Sequence, residues 1–141
     1  MRSDFKYWED IVVRWGDMDA LGHVNNAKFF TYFESGRLGY FQRLDLTRFR
    51  RHESEGPGLV SATCHFRQQV RYPDTLEVGV RVSEVRTRSY TFVVELYRKG
   101  TDVLVAEGTS VGVWVDYRAG KAVPVPDAMR AALSEFEGRS F

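Results

Sequence analysis

The chain has 141 residues, 43% hydrophobic and 14% aromatic, which is enough to fill the core of one domain and too apolar for a disordered chain. Lys and Arg number 20 and Asp and Glu 19, so the net charge of +1 leaves no electrostatic footprint for nucleic acid or for a membrane surface. A single cysteine, Cys64, excludes an internal disulfide, and no run reaches the roughly 18 apolar residues of a membrane helix; one cytoplasmic domain over 1–141 is the expectation.

In chain order, the opening MRSDFKYWED is charged throughout and lacks the apolar centre of a signal peptide. EDIVVRWG, residues 9–16, predicts a short strand ending at Gly16. DMDALGHVNN, residues 17–26, follows as a polar loop. From Asn26 to Leu44 the period becomes helical. Phe30, Phe33, Arg37, Phe41 and Leu44 recur at spacings of three and four, and Phe29, Tyr32, Gly36 and Tyr40 add a second apolar arc. So much apolar surface predicts a buried helix, with Asn25 or Asn26 as its N-cap.

Residues 45–58 are charged and end in Gly56-Pro57-Gly58, which predicts a loop; Arg48, Arg50 and Arg51 belong to its solvated part. The period then changes to two, and 59–71, 75–86, 89–99 and 102–117 predict four long strands. Their breaks, at Tyr72-Pro73-Asp74, Arg86–Ser89 and Lys99-Gly100-Thr101, are short enough to favour antiparallel hairpins. Ala106, Gly108, Ser110 and Gly112 form a face of small side chains that would let a helix approach the sheet closely. Pro124 and Pro126 lead into a short helix over about Asp127–Phe136. The order of strand, long helix, four-stranded meander and terminal helix is α+β. One sheet covers one side of such a helix and leaves its own edges open, so a homodimer is expected, with a homotetramer built from it as an extension.

The 17–26 loop holds the densest cluster of chemically capable side chains. Asp19 stands just before a helix whose first turn offers unpaired N–H groups and a partial positive charge. A carboxylate beside a site that can hold an oxyanion suits acyl transfer, by direct attack or by activating water. A thioester is the matching electrophile, because its thiolate leaves without protonation. The alternative role for Asp17 or Asp19 is to close an Asx-turn. His23 could orient water, donate to a carbonyl or cap the helix, and Asn25 and Asn26 could cap or help position a carbonyl. His23, His52 and His65 are too scattered for a zinc site, so no metal is expected. Glu34 and Arg37 fall within the apolar surface of the helix. At a spacing of three they can pair with each other, or Glu34 can orient water near a subunit interface.

RWGDMDALGHVNNAKFFTYFESGR, residues 14–37, resembles the opening of the hot-dog-fold acyl-CoA thioesterases of the 4-hydroxybenzoyl-CoA thioesterase type. The resemblance implies a long central helix wrapped by an antiparallel five-stranded sheet, and hydrolysis of an acyl-CoA or acyl-carrier-protein thioester. Asp19 would then be the nucleophile or general base, with Asp17, His23, Asn25 and Glu34 in support. The backbone from His23 through Val24 to Asn26 would polarise the carbonyl. Ser61 and Thr63 would line a site shared between subunits, and Arg86, Arg88 and Ser89 would hold the CoA phosphates. No cofactor is implied, since CoA is part of the substrate. Two further readings fit the same residues: an acyl-CoA binding protein without turnover, and an enoyl-thioester hydratase or dehydratase using Asp19 and His23 as an acid/base pair.

Overall fold

Asn25 ends the polar loop and starts the long helix: its side-chain oxygen accepts a hydrogen bond from the Ala27 amide at 2.9 Å. In a computed structural model, which describes residues 1–141, that helix, α1, runs Asn26–Leu44, with the bounds the periodicity predicts. It stops at Asp45, whose φ of 49° turns the chain into the left-handed region. A second helix, α2, spans Asp127–Glu137 and buries Met129 and Leu133. Glu137 in its last turn ties the two helices and the sheet together, accepting from the Tyr40 hydroxyl at 2.6 Å and the Val82 amide at 3.0 Å.

The strands are β1 (Tyr7–Val12), β2 (Glu55–Ala62), β3 (His65–Phe66), β4 (Thr75–Val85), β5 (Ser89–Arg98), β6 (Leu104–Asp116) and β7 (Lys121–Ala122). The main sheet has five strands in the order β1-β4-β5-β6-β2, all antiparallel, and the two-residue strands β3 and β7 each pair with β6. Registers such as Ile11↔Leu76, Val80↔Val94 and Val94↔Gly108 put alternate residues toward α1. Leu76, Val78, Val80, Val82, Tyr90, Phe92, Val94 and Leu96 are all buried there, the faces the period of two predicts.

Three expectations are corrected. Gly56-Pro57-Gly58 is not loop but part of β2. Pro57 is tolerated because β2 pairs only with β6 and is an edge strand. Residues 59–71 are not one strand. The pairing breaks after Ala62 and after Phe66, and residues 67–74 carry the chain from one edge of the sheet across to β4, so Tyr72-Pro73-Asp74 closes no hairpin. The buried stripe of α1 is Phe29, Tyr32, Phe33, Gly36 and Tyr40, while Phe30 and Leu38 are exposed. Both arcs are apolar, and the sheet meets the one that contains Gly36. A Cβ added there would come within 2.9 Å of Val80 and 3.0 Å of Val78.

Candidate active site

The loop between β1 and α1 is held by its own backbone. The Asp19 amide donates to the His23 carbonyl at 2.8 Å and the Gly22 amide to the Asp19 carbonyl at 3.0 Å. Gly22 has φ +81°, which a side chain would strain. The loop is fastened to α1 through Asp17, which is buried. Its Oδ2 accepts from the Tyr32 hydroxyl at 2.6 Å and from the Arg14 amide at 3.0 Å, and its carbonyl accepts from the Asn25 amide at 2.9 Å. Burial opposes ionisation of Asp17. The Tyr32 hydroxyl, the Arg14 amide and the charges of Lys28 and Arg14 outweigh it and hold the carboxyl below its ordinary value. Burial, together with the bond to Asp17, pushes the Tyr32 phenol well up.

Asp19 is exposed by contrast. Its Oδ1 accepts from the Leu21 amide at 2.9 Å, an Asx-turn that fixes the carboxylate while Oδ2 has no partner within the chain. It lines a recess of about 430 Å³ together with His23, Val24, Asn25, Asn26 and Phe29 from its own side, and Phe66 to Gln69 from the other. Phe29 and Phe66 meet edge to face at 5.3 Å and form the apolar wall. Of the amides that lead into α1, those of Val24 and Asn25 donate to Val70 and Asp17 carbonyls, whereas the Asn26 amide donates to nothing in the chain. The recess is thus lined both by a residue with a partnerless carboxylate oxygen and by one with a free N–H at the positive end of a helix.

The remaining candidates lie elsewhere. Glu34 lines a second groove, of about 620 Å³, with Arg37, Leu38, Phe41, Leu59, Tyr90 and others. No salt bridge joins Glu34 to Arg37. Burial lowers the Arg37 pKa, and the Glu34 charge only partly opposes this. Ser61 is exposed on edge strand β2. Thr63 follows it, its hydroxyl 3.1 Å from that of Thr109. Arg86, Arg88 and Ser89 sit at the β4–β5 turn. Arg130 of α2 holds that turn by donating to the carbonyls of Val85 and Arg86 at 3.2 and 2.6 Å, and Arg86 also pairs with Glu84. Phe41 packs on Tyr90 at the same end, so the turn lies by the C-terminal half of α1 and Asp19 by its start.

Sequence reasoning missed Phe66, Arg67, Gln68 and Gln69 in the recess, and also Arg71, whose Nη2 lies 3.0 Å from His23 Nε2. By periodicity all of them fall at the end of one long strand. Only the break after Phe66 turns them toward the loop. The burial of Cys64 pushes its thiol up to about 11, which leaves it a poor nucleophile. No group of three or more His, Cys, Asp or Glu side chains is gathered as metal ligands would be.

The family model of the thioesterase-like superfamily matches residues 13–133, from the end of β1 to the middle of α2. The chain belongs to the thioesterase-like superfamily. Its sheet, curled around α1, is the hot-dog fold that residues 14–37 implied. A thioesterase from Thermus thermophilus, solved in complex with coenzyme A and Zn, superposes with a TM-score of 0.82 at 30% identity over 96% of this chain and 98% of that one. The PA5185 protein of Pseudomonas aeruginosa strain PAO1 superposes with a TM-score of 0.85 at 27% identity over 99% of this chain and 95% of that one. In sequence, the protein YsmA of Bacillus subtilis (strain 168) is 29% identical over 136 residues, 94% of this chain and 88% of its own length. The thioesterase superfamily makes thioester hydrolysis the general activity. No helix is long and apolar enough to cross a membrane.

Proposed function

We propose that the protein hydrolyses an acyl-CoA thioester, with Asp19 as the reacting carboxylate. The observation that carries this reading is the recess at the start of α1, lined both by Asp19, whose Oδ2 has no partner, and by Asn26, whose amide is free. A thioester carbonyl held by the Asn26 N–H is polarised by the helix end. Asp19 then attacks its carbon, or removes a proton from a water that does. Both routes pass through a tetrahedral carbon bearing an oxyanion, which the same N–H stabilises more than it does the neutral carbonyl. The thiolate leaves without a general acid. On the first route it leaves a mixed anhydride on Asp19, which water then cleaves to the free acid and the regenerated carboxylate. On the second the acid forms directly, and the proton held by Asp19 passes to the thiolate or to solvent. No cofactor is needed beyond the thiol the substrate brings.

Asp17 supports the reaction by fixing the loop, and Asn25 by capping the helix whose end holds the oxyanion. Val24 and Asn26 form the floor. Glu34, Ser61 and Thr63, with Arg86, Arg88 and Ser89 for the CoA phosphates, complete the site across a homodimer. The coenzyme A bound to the Thermus thermophilus thioesterase supports CoA as the carrier.

The test is thiol release from a panel of short, long, branched and aromatic acyl-CoAs and from an acyl-carrier-protein thioester, with wild type beside Asp19→Asn. Asn keeps the bond to Leu21 and removes the charge. Turnover of acyl-CoAs by wild type, and its loss by at least about a hundredfold in the folded variant, is the expected outcome. Equal turnover in both would overturn the role of Asp19, and release only from the carrier protein would overturn CoA as the carrier.

A further inference from the structure

The ring of His23 has one hydrogen-bond partner in the chain. Arg71, on the crossover after β3, brings Nη2 to 3.0 Å from His23 Nε2. A guanidinium has five N–H donors and no acceptor, and it keeps its proton in proteins. The bond therefore runs one way: Arg71 donates and the lone pair of Nε2 accepts. A ring nitrogen that accepts carries no hydrogen, so the imidazole keeps its one proton on Nδ1. An isolated histidine in water favours the opposite tautomer, with the proton on Nε2.

We infer that Arg71 is a positioning residue that locks His23 in the Nδ1–H tautomer, so that His23 meets a thioester in the recess as a hydrogen-bond donor and not as a base. Its part in turnover rests on the reading of the Asp19 recess as the thioester site; the tautomer itself does not. Arg71 is available for this task because it forms no salt bridge. The neighbouring Arg67 pairs with Glu107 at 3.2 Å, and Arg98 with Asp74 at 3.0 Å. With Nε2 occupied, the ring has no lone pair left to take a proton from water or from a substrate carbon. Base chemistry in the recess then falls to Asp19 alone. Acid/base hydration of an enoyl thioester by an Asp19–His23 pair loses one of its two partners.

The ring nitrogens report the tautomer directly. In long-range proton–nitrogen correlation spectra of the ¹⁵N-labelled protein at pH 8, His23 is identified by the signals missing from His23→Gln. We expect its Nδ1 in the protonated range and its Nε2 in the bare range. Arg71→Met should return His23 to the Nε2–H form, and Arg71→Lys, which also donates and cannot accept, should retain Nδ1–H. His52, whose Nδ1 lies 2.5 Å from the Ser54 hydroxyl, should keep its pattern in every variant and serves as the internal control. Nε2–H in wild type, or one spectrum shared by wild type and Arg71→Met, would overturn the lock. In turnover, Arg71→Met should lower kcat about tenfold, the size expected for one misaligned hydrogen bond, with KM nearly unchanged. A loss confined to KM would assign Arg71 to substrate binding and overturn its positioning role. A wild-type Nδ1–H spectrum without thiol release from any thioester would uphold the lock and overturn the thioesterase reading.

Discussion

Tyr32 and Asp17 are the pair through which α1 holds the loop that carries Asp19. A hydrogen bond to an ionised carboxylate contributes about 1.5–3 kcal/mol, and here it is buried. Tyr32→Phe should therefore destabilise the protein by about 2 kcal/mol at pH 7, measured by denaturant unfolding. The sign of its pH dependence follows from Asp17. A carboxyl whose folded pKa lies below its unfolded one adds stability above the unfolded value, here 3.8, and loses it as pH falls through the folded pKa. The Tyr32→Phe deficit should thus hold from neutral pH down to that value and shrink below it, where wild type also loses the charge. A deficit that does not shrink at all as the pH falls below 3.8 would mean that the bond owes nothing to the charge of Asp17. The sequence marks both aspartates of the D-x-D pair as capable, and the fold divides their tasks. Asp17 lies under Tyr32, fifteen residues on, and becomes a strut, while Asp19 bonds only to its own loop and keeps one oxygen free. Residue type and spacing do not distinguish them, and in the sequence only the family resemblance gives Asp19 the reacting part; the physical distinction comes from which carboxylate the helix covers.

The close contact of α1 with the sheet depends on small residues whose purpose the periodicity does reveal. Of Ala106, Gly108, Ser110 and Gly112, the face expected to admit a helix, Gly108 does so most directly. A Cβ there would come within 3.0 Å of the Phe33 ring and would also collide with the Thr63 backbone carbonyl. A ring can turn away, but a carbonyl in the β2–β3 connection moves only if that connection moves. Gly108→Ala should therefore cost about 1–3 kcal/mol, and trimming the ring in Gly108→Ala/Phe33→Leu should not recover it; thermal unfolding of the three variants decides this. Gly112 serves a different end, since a Cβ there would strike Tyr90 of the neighbouring strand. The bounds of α1 were legible because its period and its Asn25 cap agree. The path of the chain over 59–74 was not. Hairpins are the natural reading of three-residue breaks, and only the pairing of β2 with β6 shows that this one is a crossover. That crossover is also what brings Phe66 to Gln69 and Arg71 to the recess, so the error in topology and the missed site residues have one cause.

At the scale of the molecule, the candidates fall at two ends of one helix. Nineteen residues of α1 span about 28 Å, with Phe29 packed on Phe66 at its start and Phe41 on Tyr90 near its end. Asp19 belongs to the first end, and the 620 Å³ groove and the Arg86–Ser89 turn to the second. Within one chain the two sets of groups stand at opposite ends of that helix. A two-fold axis beside the open edge of β2 and perpendicular to α1 would run two copies of α1 antiparallel and bring the partner's Asp19 toward this groove. The surface there suits such pairing. Leu59 and Val60 on the edge strand are 53% and 64% exposed, and Leu38 on the outer side of α1 is 55% exposed; an open edge with apolar side chains is a template for pairing. Val60→Lys puts a charge on that edge at a position open to solvent in the single chain, so the fold should survive, as circular dichroism would report. Light scattering should then give twice the chain mass, or four times it, for wild type and the chain mass for the variant. On the proposal that a homodimer completes the site, thiol release should fall with the loss of dimer across a concentration series, and recover in part at high protein concentration. Wild type that is monomeric and fully active would place every required group within one chain, and the division between the two ends of α1 would then have to be bridged by the substrate itself.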